Sequence, residues 1–314
     1  MGGMDRPAEL QARRIVAQGL HSPVRTAVEV ARWMLGVQGQ TYAAGIRALS
    51  LRGPLADAAV LAAVDKHEVV RAWPMRGTLH FLPAEDARWM MRLCSPRVAR
   101  AQQQRRPGLG LEETDVTVAR EALHAELRGG ALTRPEVYEV FRAAGVDPAD
   151  GRGPHLVRAF GGEGDVVQGP RRGSVETFVH VDELPVEQRD LTGDAALAEL
   201  GTRYLHSHGP ASAKDLAWWA GLTMAQARKA IALARDVVPF DDEHWMGDWQ
   251  LDVPTAELEA ALAATYELPA FDEILLGYGD KSLLLLEELR PQVLTRNGLS
   301  WPFVLQGGSI VGRA

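Results

Sequence analysis

The sequence predicts an α+β fold that is mainly helical. Apolar residues recur at helical spacing and then change to a period of two, and this order of helices followed by a hairpin occurs three times along the chain. The 314 residues, 46% of them hydrophobic, are enough for a sizeable core and for two or three domains. Helices followed by a β-hairpin are typical of a winged helix, so we expect three such units in tandem.

The first group of helices lies within residues 22–67. Ser22 is a suitable N-cap and Pro23 suits the first helical turn. Behind them, helical spacing predicts a buried stripe of Val24, Ala27, Val28, Ala31, Met34 and Leu35. Two further helices are expected over residues 43–51 and 55–67.

A hairpin is predicted after each of the first two helical groups. Strands over residues 69–73 and 78–82 flank the turn sequence PMRG, and strands over 166–167 and 176–181 flank GPRRG. Before the second hairpin, Thr133 and Glu136 with Pro135 between them predict a capping box that opens a helix. Residues 154–160 predict a further short helix.

The third group contains two more capping boxes, Ser212 with Asp215 and Thr223 with Gln226, separated by Gly221. Its hairpin is expected over residues 237–240 and 245–251, and a last helix over 255–266 leads to strands near 292–295 and 301–305. Linkers at 107–111 and 184–193 divide the chain into winged-helix units at 1–106, 107–186 and 187–253, with a helical and β-rich segment at 254–314 that closes the cleft.

Composition favours an intracellular protein. The single cysteine, Cys94, cannot form an internal disulfide bond, which favours a reducing compartment. The first fourteen residues are polar and do not resemble a signal peptide. No apolar run reaches the length of about eighteen residues that spans a bilayer, so we expect a cytoplasmic protein without a membrane partner.

Charge is distributed unevenly along the chain. Residues 1–106 contain sixteen Lys and Arg against eight Asp and Glu, a net of +8, so the rest must carry −15 of the total −7. A basic N-terminal third on an acidic body predicts a polyanionic partner. The alternative is that these arginines are solvated residues on helix surfaces.

Four segments resemble those of the winged-helix DNA glycosylases related to the azinomycin-resistance enzyme AlkZ. The resemblance runs from about Ile15 to the C-terminus, and the segments are VQGQ (37–40), RAWPMRGTLH (71–80), GPASAKDLAWW (209–219) and PAFDEILLGY (269–278) with DKS (280–282). It implies three tandem winged-helix domains in a concave arrangement, and monofunctional excision of N7-alkylated purines. In some members it also implies unhooking of interstrand crosslinks.

The resemblance also implies a partner and a cellular setting. We expect duplex DNA bearing alkylated bases as the partner, and association with the nucleoid of a bacterium. No dimerisation heptad is present, so a monomer is expected. The resemblance further implies a basic, β-rich tail longer than the one that ends at Gly312-Arg313-Ala314.

Gln38 and Gln40 are the predicted catalytic residues, because the family has Gln-x-Gln or Gln-x-Asp at the catalytic position. Residues i and i+2 share a face only in extended backbone, which Gly39 between them permits. An amide cannot act as a general base, but it can orient a water molecule and donate a hydrogen bond. That suffices for an N7-alkylated purine, which already carries positive charge as a leaving group. The alternative is that both are ordinary polar loop residues.

Basic side chains on the hairpins are the predicted DNA contacts. The first hairpin holds Arg71, Arg76 and His80, although one of these arginines could instead pair with Asp65 or Glu68. The set is completed by residues of the second hairpin turn and of the last family segment: Arg171, Arg172 and Lys281. For the two turn arginines, plain solvation is the alternative to a phosphate contact. The acids of the third hairpin predict that it faces away from DNA.

Asp272 and Asp280 are candidate cleft carboxylates, or braces for an arginine or lysine there. The adjacent Trp218 and Trp219 cannot face the same way, so we expect one in the core and the other in interdomain packing rather than base stacking. No metal-ligand spacing and no phosphate-binding glycine loop is present, so no metal or cofactor is predicted. The competing functions are a non-catalytic DNA-binding regulator and a protein that shields lesions.

Overall fold

The mainly helical α+β fold is confirmed. A computed structural model describes residues 4–21, 25–295 and 297–314, and 51% of the chain is helical. The helices are α1 (Arg6–Ala17), α2 (Ala27–Met34), α3 (Tyr42–Leu51), α4 (Asp57–Asp65), α5 (Ala87–Cys94), α6 (Pro96–Arg105), α7 (Glu113–Leu127), α8 (Arg134–Ala143), α9 (Arg152–Gly162), α10 (Gly193–His208), α11 (Ala213–Ala220), α12 (Met224–Leu233), α13 (Thr255–Ala263), α14 (Glu273–Leu276) and α15 (Arg290–Val293).

The strands are short and lie mostly in hairpins. They are β1 (Val37–Gln38), β2 (Val69–Met75), β3 (Thr78–Pro83), β4 (Leu132–Thr133), β5 (Val166–Arg172), β6 (Val175–His180), β7 (Val237–Pro239), β8 (Trp245–Gly247), β9 (Thr265–Leu268), β10 (Phe303–Gln306) and β11 (Ser309–Arg313). The three predicted hairpins correspond to β2–β3, β5–β6 and β7–β8. No helix in the described part of the chain is both long and apolar enough to cross a bilayer.

The chain folds into two compact units. Unit 1 comprises Met1–Leu61 together with Gly193–Ala314, and unit 2 comprises Ala62–Thr192. The second break falls at the end of the predicted linker 184–193. The first break divides the predicted unit 1–106, because the β2–β3 hairpin shares a sheet with β5 and β6 and so folds with unit 2.

Unit 2 is built on an antiparallel sheet in the order β3–β2–β5–β6–β4. Helices α7, α8 and α9 pack together beside it. Their apolar side chains, among them Phe141, Leu156 and Phe160, form one buried cluster with Trp73 of β2 and Phe178 of β6.

The first two hairpins are longer and tighter than the sequence predicts. The first turn contains only Arg76 and Gly77, both at positive φ (52° and 69°), as in a type I′ turn. Pro74 and Pro170, predicted to lie in turns, are inside β2 and β5. Each lies where the strand register shifts, and there a residue without a backbone N–H is tolerated.

Capping boxes mark the start of three helices of unit 1, α2, α11 and α12. The boxes predicted at Ser212 and Thr223 are confirmed, with Gly221 left-handed (φ 74°) between the two helices. Helix α2, however, begins behind Thr26, whose side chain and Glu29 form a capping box. The predicted cap at Ser22 and Pro23 falls outside the described residues.

The C-terminal segment differs from the prediction. Helix α13 ends before Thr265, because residues 265–268 instead form β9, which pairs with β10 in the order β11–β10–β9. The strand expected near 292–295 is wrong, since α15 covers Gln292 and Val293 and Leu294 forms an isolated bridge with Ser300. The strand expected at 301–305 is present as β10.

Burial of histidine makes the stability of unit 2 depend on pH. His155 is 5% exposed, and burial, followed by repulsion from Arg106, Arg105 and Arg158, lowers its pKa below the usual 6.5. Below pH 6.5 the unfolded chain therefore binds a proton that the folded chain does not, so stability is lost as pH falls. We expect the free energy of unfolding in urea to decrease from pH 7.5 to 5.5. We expect a smaller decrease for His155→Gln, and an unchanged slope in that variant would contradict the assignment.

Candidate active site

The Gln38–Gln40 segment follows an abrupt end of α2. Leu35, which is fully buried, ends the helix at φ 62°, an unfavourable conformation for a residue with a Cβ atom. The chain then extends through β1. The Gln38 side chain is 6% exposed, whereas Gln40 is exposed. The strand covers the first glutamine of the Gln-x-Gln motif, and the second lies at a bend two residues later.

Gln38 is held from two directions. Its backbone N–H donates to Oε1 of Glu273 at 2.7 Å, and its side-chain Oε1 accepts from the backbone N–H of Gln40 at 2.6 Å. The second bond orients the Gln38 amide, because a backbone N–H can only face the carbonyl oxygen of that group. The Nε2 group then points to the opposite side of the amide.

Glu273 is the site residue that sequence reasoning missed. It is fully buried in the first turn of α14, and its other oxygen, Oε2, accepts from Nε1 of Trp219 at 2.9 Å. Both oxygens thus face N–H donors, as expected for an ionised carboxylate. It lies in the family segment PAFDEILLGY, but the sequence drew attention to its neighbour Asp272.

Asp272 braces an arginine, one of the two roles predicted for it. It caps α14 by accepting from the Ile274 N–H, and it forms a bidentate ion pair with Arg52 at 2.9 and 2.8 Å. Arg52 also donates to Oε1 of Gln18 at 2.7 Å, and all three side chains are at most 1% exposed. Burial opposes the charge on Arg52, but the ion pair with Asp272 outweighs it and the pKa of Arg52 is raised.

His208 lies beside Glu273. The Ser207 hydroxyl donates to the Arg203 carbonyl at 2.7 Å, and its oxygen lies 2.8 Å from Nδ1 of His208. Burial lowers the pKa of His208, and the nearby Glu273 opposes that shift. Nε2 of His208 lies 3.8 Å from Oε2 of Glu273.

Asp280 and Lys281 lie at a separate pocket of about 490 Å³ in unit 1. Asp280 is exposed and accepts from the Ser282 N–H at 2.8 Å, and this hydrogen bond lowers its pKa. Lys281 donates to the Tyr278 carbonyl and lies 4.7 Å from the Trp218 ring. Trp219 belongs to the core, as expected for one of the pair, and Trp218 is 47% exposed.

The sequence predicts that Arg71, Arg76 and His80 of the first hairpin contact DNA. The structure does not place all three side chains on the surface. Arg71 is 7% exposed and donates to Oε1 of Gln168 at 2.6 Å, across the pair of strands β2 and β5. His80 is fully buried, with Nδ1 at 3.0 Å from the Thr78 carbonyl. Arg76, in the turn, is partly exposed. The two strands are buried along almost their whole length, so among these three residues only Arg76 in the turn reaches the surface.

At the second hairpin, Arg171 and Arg172 are exposed as predicted. Arg172 is, however, paired with Glu136 at 3.0 Å and donates to the Ala131 carbonyl. Across the described residues, no group of histidine, cysteine and acidic side chains is arranged to hold a metal ion.

A basic surface lies next to the first turn. Helix α6 contains no acidic residue, and Val98 on it packs against Gly77 of the turn. Arg158 of α9 donates to the Gly77 carbonyl, and burial, followed by repulsion from Arg105, lowers the pKa of Arg158. We call this the α6 basic surface, defined by Arg76, Arg97, Arg100, Arg105 and Arg158.

Comparison with known proteins identifies first a solved structure with the same fold and then the family of this chain. The solved structure of the Streptomyces sahachiroi DNA glycosylase AlkZ has the same fold, with a TM-score of 0.78 and 23% identity over 98% of this chain and 86% of that one. The model of the DNA glycosylase AlkZ-like family matches residues 31–314, and the chain belongs to this family. A curated relative, the interstrand DNA cross-link repair glycosylase of Streptomyces sahachiroi, is 25% identical over an aligned length of 318 positions. The alignment covers 91% of this chain and 81% of the relative.

The contribution of the buried Arg52–Asp272 ion pair to stability can be tested by substitution. Asp272→Asn keeps an acceptor for the helix cap but leaves the Arg52 charge uncompensated, so we expect a loss of about 3–5 kcal/mol in the free energy of unfolding. Urea denaturation measures it. The matched control is Asp194→Asn, which breaks an exposed pair with Lys229 and should cost about 1 kcal/mol or less. Equal effects of the two substitutions would contradict the assignment.

Proposed function

We propose that this protein is a monofunctional DNA glycosylase that removes N7-alkylated purines from duplex DNA by hydrolysis of the N-glycosidic bond. We include the unhooking of interstrand crosslinks in its range of substrates. One observation carries the proposal: in a member of the AlkZ-like family, the Gln38–Gly39–Gln40 segment begins on a strand, is held by a buried carboxylate and is exposed at Gln40.

The chemistry needs only oriented dipoles. Alkylation at N7 makes the purine a cation, so the electrons of the glycosidic bond flow to the base and the sugar develops oxocarbenium character. Fixed amide dipoles stabilise that charge and hold a water molecule near C1′. A carbonyl oxygen has two lone pairs, so Oε1 of Gln38 can accept from this water as well as from the Gln40 N–H. Unmodified guanine lacks the positive charge and survives.

Binding to duplex DNA is assigned to winged-helix units. The repeated order of helices and hairpin supports three such units, at 1–106, 107–186 and 187–253. Of the predicted contacts, we favour Arg76, Arg171 and Arg172 because their side chains reach the surface. We add the α6 basic surface, where Arg105 repels Arg158 and a phosphate backbone would relieve that repulsion. Contacts by Arg71, His80 and Lys281 stay predictions.

Excision is the decisive experiment. We expect the purified protein to release N7-methylguanine from a duplex and to leave an abasic site without cutting the strand, because no lysine is predicted beside Gln38 and Gln40 to form a Schiff base. Gln38→Ala or Gln40→Ala should lower the single-turnover rate by about tenfold to a thousandfold, the range for loss of one preorganised polar group. Release is measured by alkaline cleavage of the abasic site and gel electrophoresis.

Affinity for undamaged duplex is the control for both glutamine variants and should stay close to the wild-type value. A covalent adduct trapped by borohydride would contradict the monofunctional mechanism. Tight binding without release of any N7-alkylated base would favour a regulator or a lesion-shielding protein.

The α6 basic surface predicts salt-dependent binding. Arg76→Ala and Arg100→Ala should each weaken binding to undamaged duplex. Each should also reduce the slope of log Kd against log salt concentration by about one, the effect of one lost phosphate contact. Fluorescence anisotropy from 50 to 200 mM salt, on the order of the physiological range, measures the slope. Arg142→Ala, an exposed arginine paired with Glu139, is the control and should leave the slope unchanged.

A further inference from the structure

Glu273 connects the candidate catalytic segment to the core of unit 1. It is fully buried, and its two oxygens accept from two different parts of the chain, the Gln38 backbone and the Trp219 indole. A buried carboxylate is stable only when such donors compensate its lost hydration. The position of Gln38 and the position of this charge therefore depend on each other.

Two buried side chains of the core lie next to Glu273. The Trp219 indole can only donate, and Nε2 of His208 lies 3.8 Å from Oε2. Asp272 is already bound to both terminal nitrogens of Arg52. Oε1 of Glu273 is thus directed at Gln38 by donors on the rest of the carboxylate.

We propose that Glu273 is a positioning residue of the proposed glycosylase reaction, which holds the Gln38 backbone so that the two amides of the Gln-x-Gln motif keep their catalytic orientation. The inference rests on the proposed function. Glu273 acts through the Gln38 N–H, and the Gln38 amide in turn binds the Gln40 N–H. An alternative in which Glu273 only stabilises the core makes a different prediction for one pair of variants.

The pair is Glu273→Gln alone and combined with Trp219→Phe. A glutamine at 273 has one acceptor and one donor. If its oxygen faces Gln38, its NH₂ faces the Trp219 N–H, and if its oxygen faces Trp219, its NH₂ faces the Gln38 N–H. Either orientation sets two donors against each other. Trp219→Phe removes the indole donor, so in the double variant the oxygen can accept from Gln38 while the NH₂ faces Nε2 of His208.

We expect Glu273→Gln to lower the single-turnover excision of N7-methylguanine by about tenfold to a hundredfold, as for loss of an outer-shell partner of a catalytic ligand. The dissociation constant for undamaged duplex should stay within about twofold, since no ligand contact is removed. Addition of Trp219→Phe should raise the rate of the Glu273→Gln variant by about fivefold or more, within the range of coupling between neighbouring side chains. A purely structural role predicts the opposite, because the second substitution removes further core volume.

Hydrogen–deuterium exchange gives a readout that is independent of catalysis. A peptide covering residues 36–42 should exchange faster in Glu273→Gln than in wild type and regain protection in the double variant. Glu267→Gln, an exposed glutamate on β9, is the charge-matched control and should behave as wild type in rate and exchange.

Wild-type activity decides the proposed function, and the variants decide this inference. The inference is overturned if wild type is active but Glu273→Gln retains the full rate, if the double variant is no faster than Glu273→Gln, or if exchange at 36–42 is unchanged. If wild type releases no N7-methylguanine, the proposed function fails and the positioning role fails with it, whatever the exchange data show.

Discussion

Two adjacent buried carboxylates, Asp272 and Glu273, constrain the whole of unit 1. A charge removed from water must be met by opposite charge or by hydrogen-bond donors, and here the donors come from distant parts of the chain: Gln38, Arg52 and Trp219. These contacts join the first sixty residues to the last third of the sequence, the two segments that form unit 1.

One of these two buried carboxylates, Glu273, also holds the Gln-x-Gln segment in place. Gln38 lies on a strand of only two residues, which follows a helix that ends at Leu35 with a positive φ. Local propensity alone would not hold so short a strand in place. Under the proposed function the ionised group supports the site from behind while neutral amides face the substrate. That division suits a reaction whose leaving group is already cationic and which needs fixed dipoles more than a strong base.

Unit 2 shows a different use of charge. The bulges at Pro74 and Pro170 lie on neighbouring strands, and the tight turn that follows the first of them places Gly77 beside Val98 of α6. Arg105 at the end of α6 repels Arg158 of α9, and a bound polyanion would relieve this repulsion. The charge asymmetry of the sequence therefore has a local structural counterpart within unit 2, although the protein as a whole is acidic.

Local signals in the sequence determined much of the fold. Capping boxes such as that at Ser212 depend on residues three apart, and hairpin turns depend on a few consecutive residues, so both could be predicted. The Gln38 and Gln40 pair was identified through a motif that is contiguous in the chain. Where local signals compete, the sequence was a weaker guide: α2 begins behind the cap at Thr26, and the strand expected near 292–295 is wrong.

Only the tertiary structure decided which polar side chains are buried and what they bind. Glu273 and Asp272 are neighbours in sequence and equally acidic, yet one holds Gln38 and the other Arg52. Arg71 and Arg76 belong to one hairpin, yet one lies inside the sheet against Gln168 and the other reaches the surface. These outcomes depend on donors and acceptors brought together from 97 to 235 positions away in the chain, and no local pattern records which of them will meet.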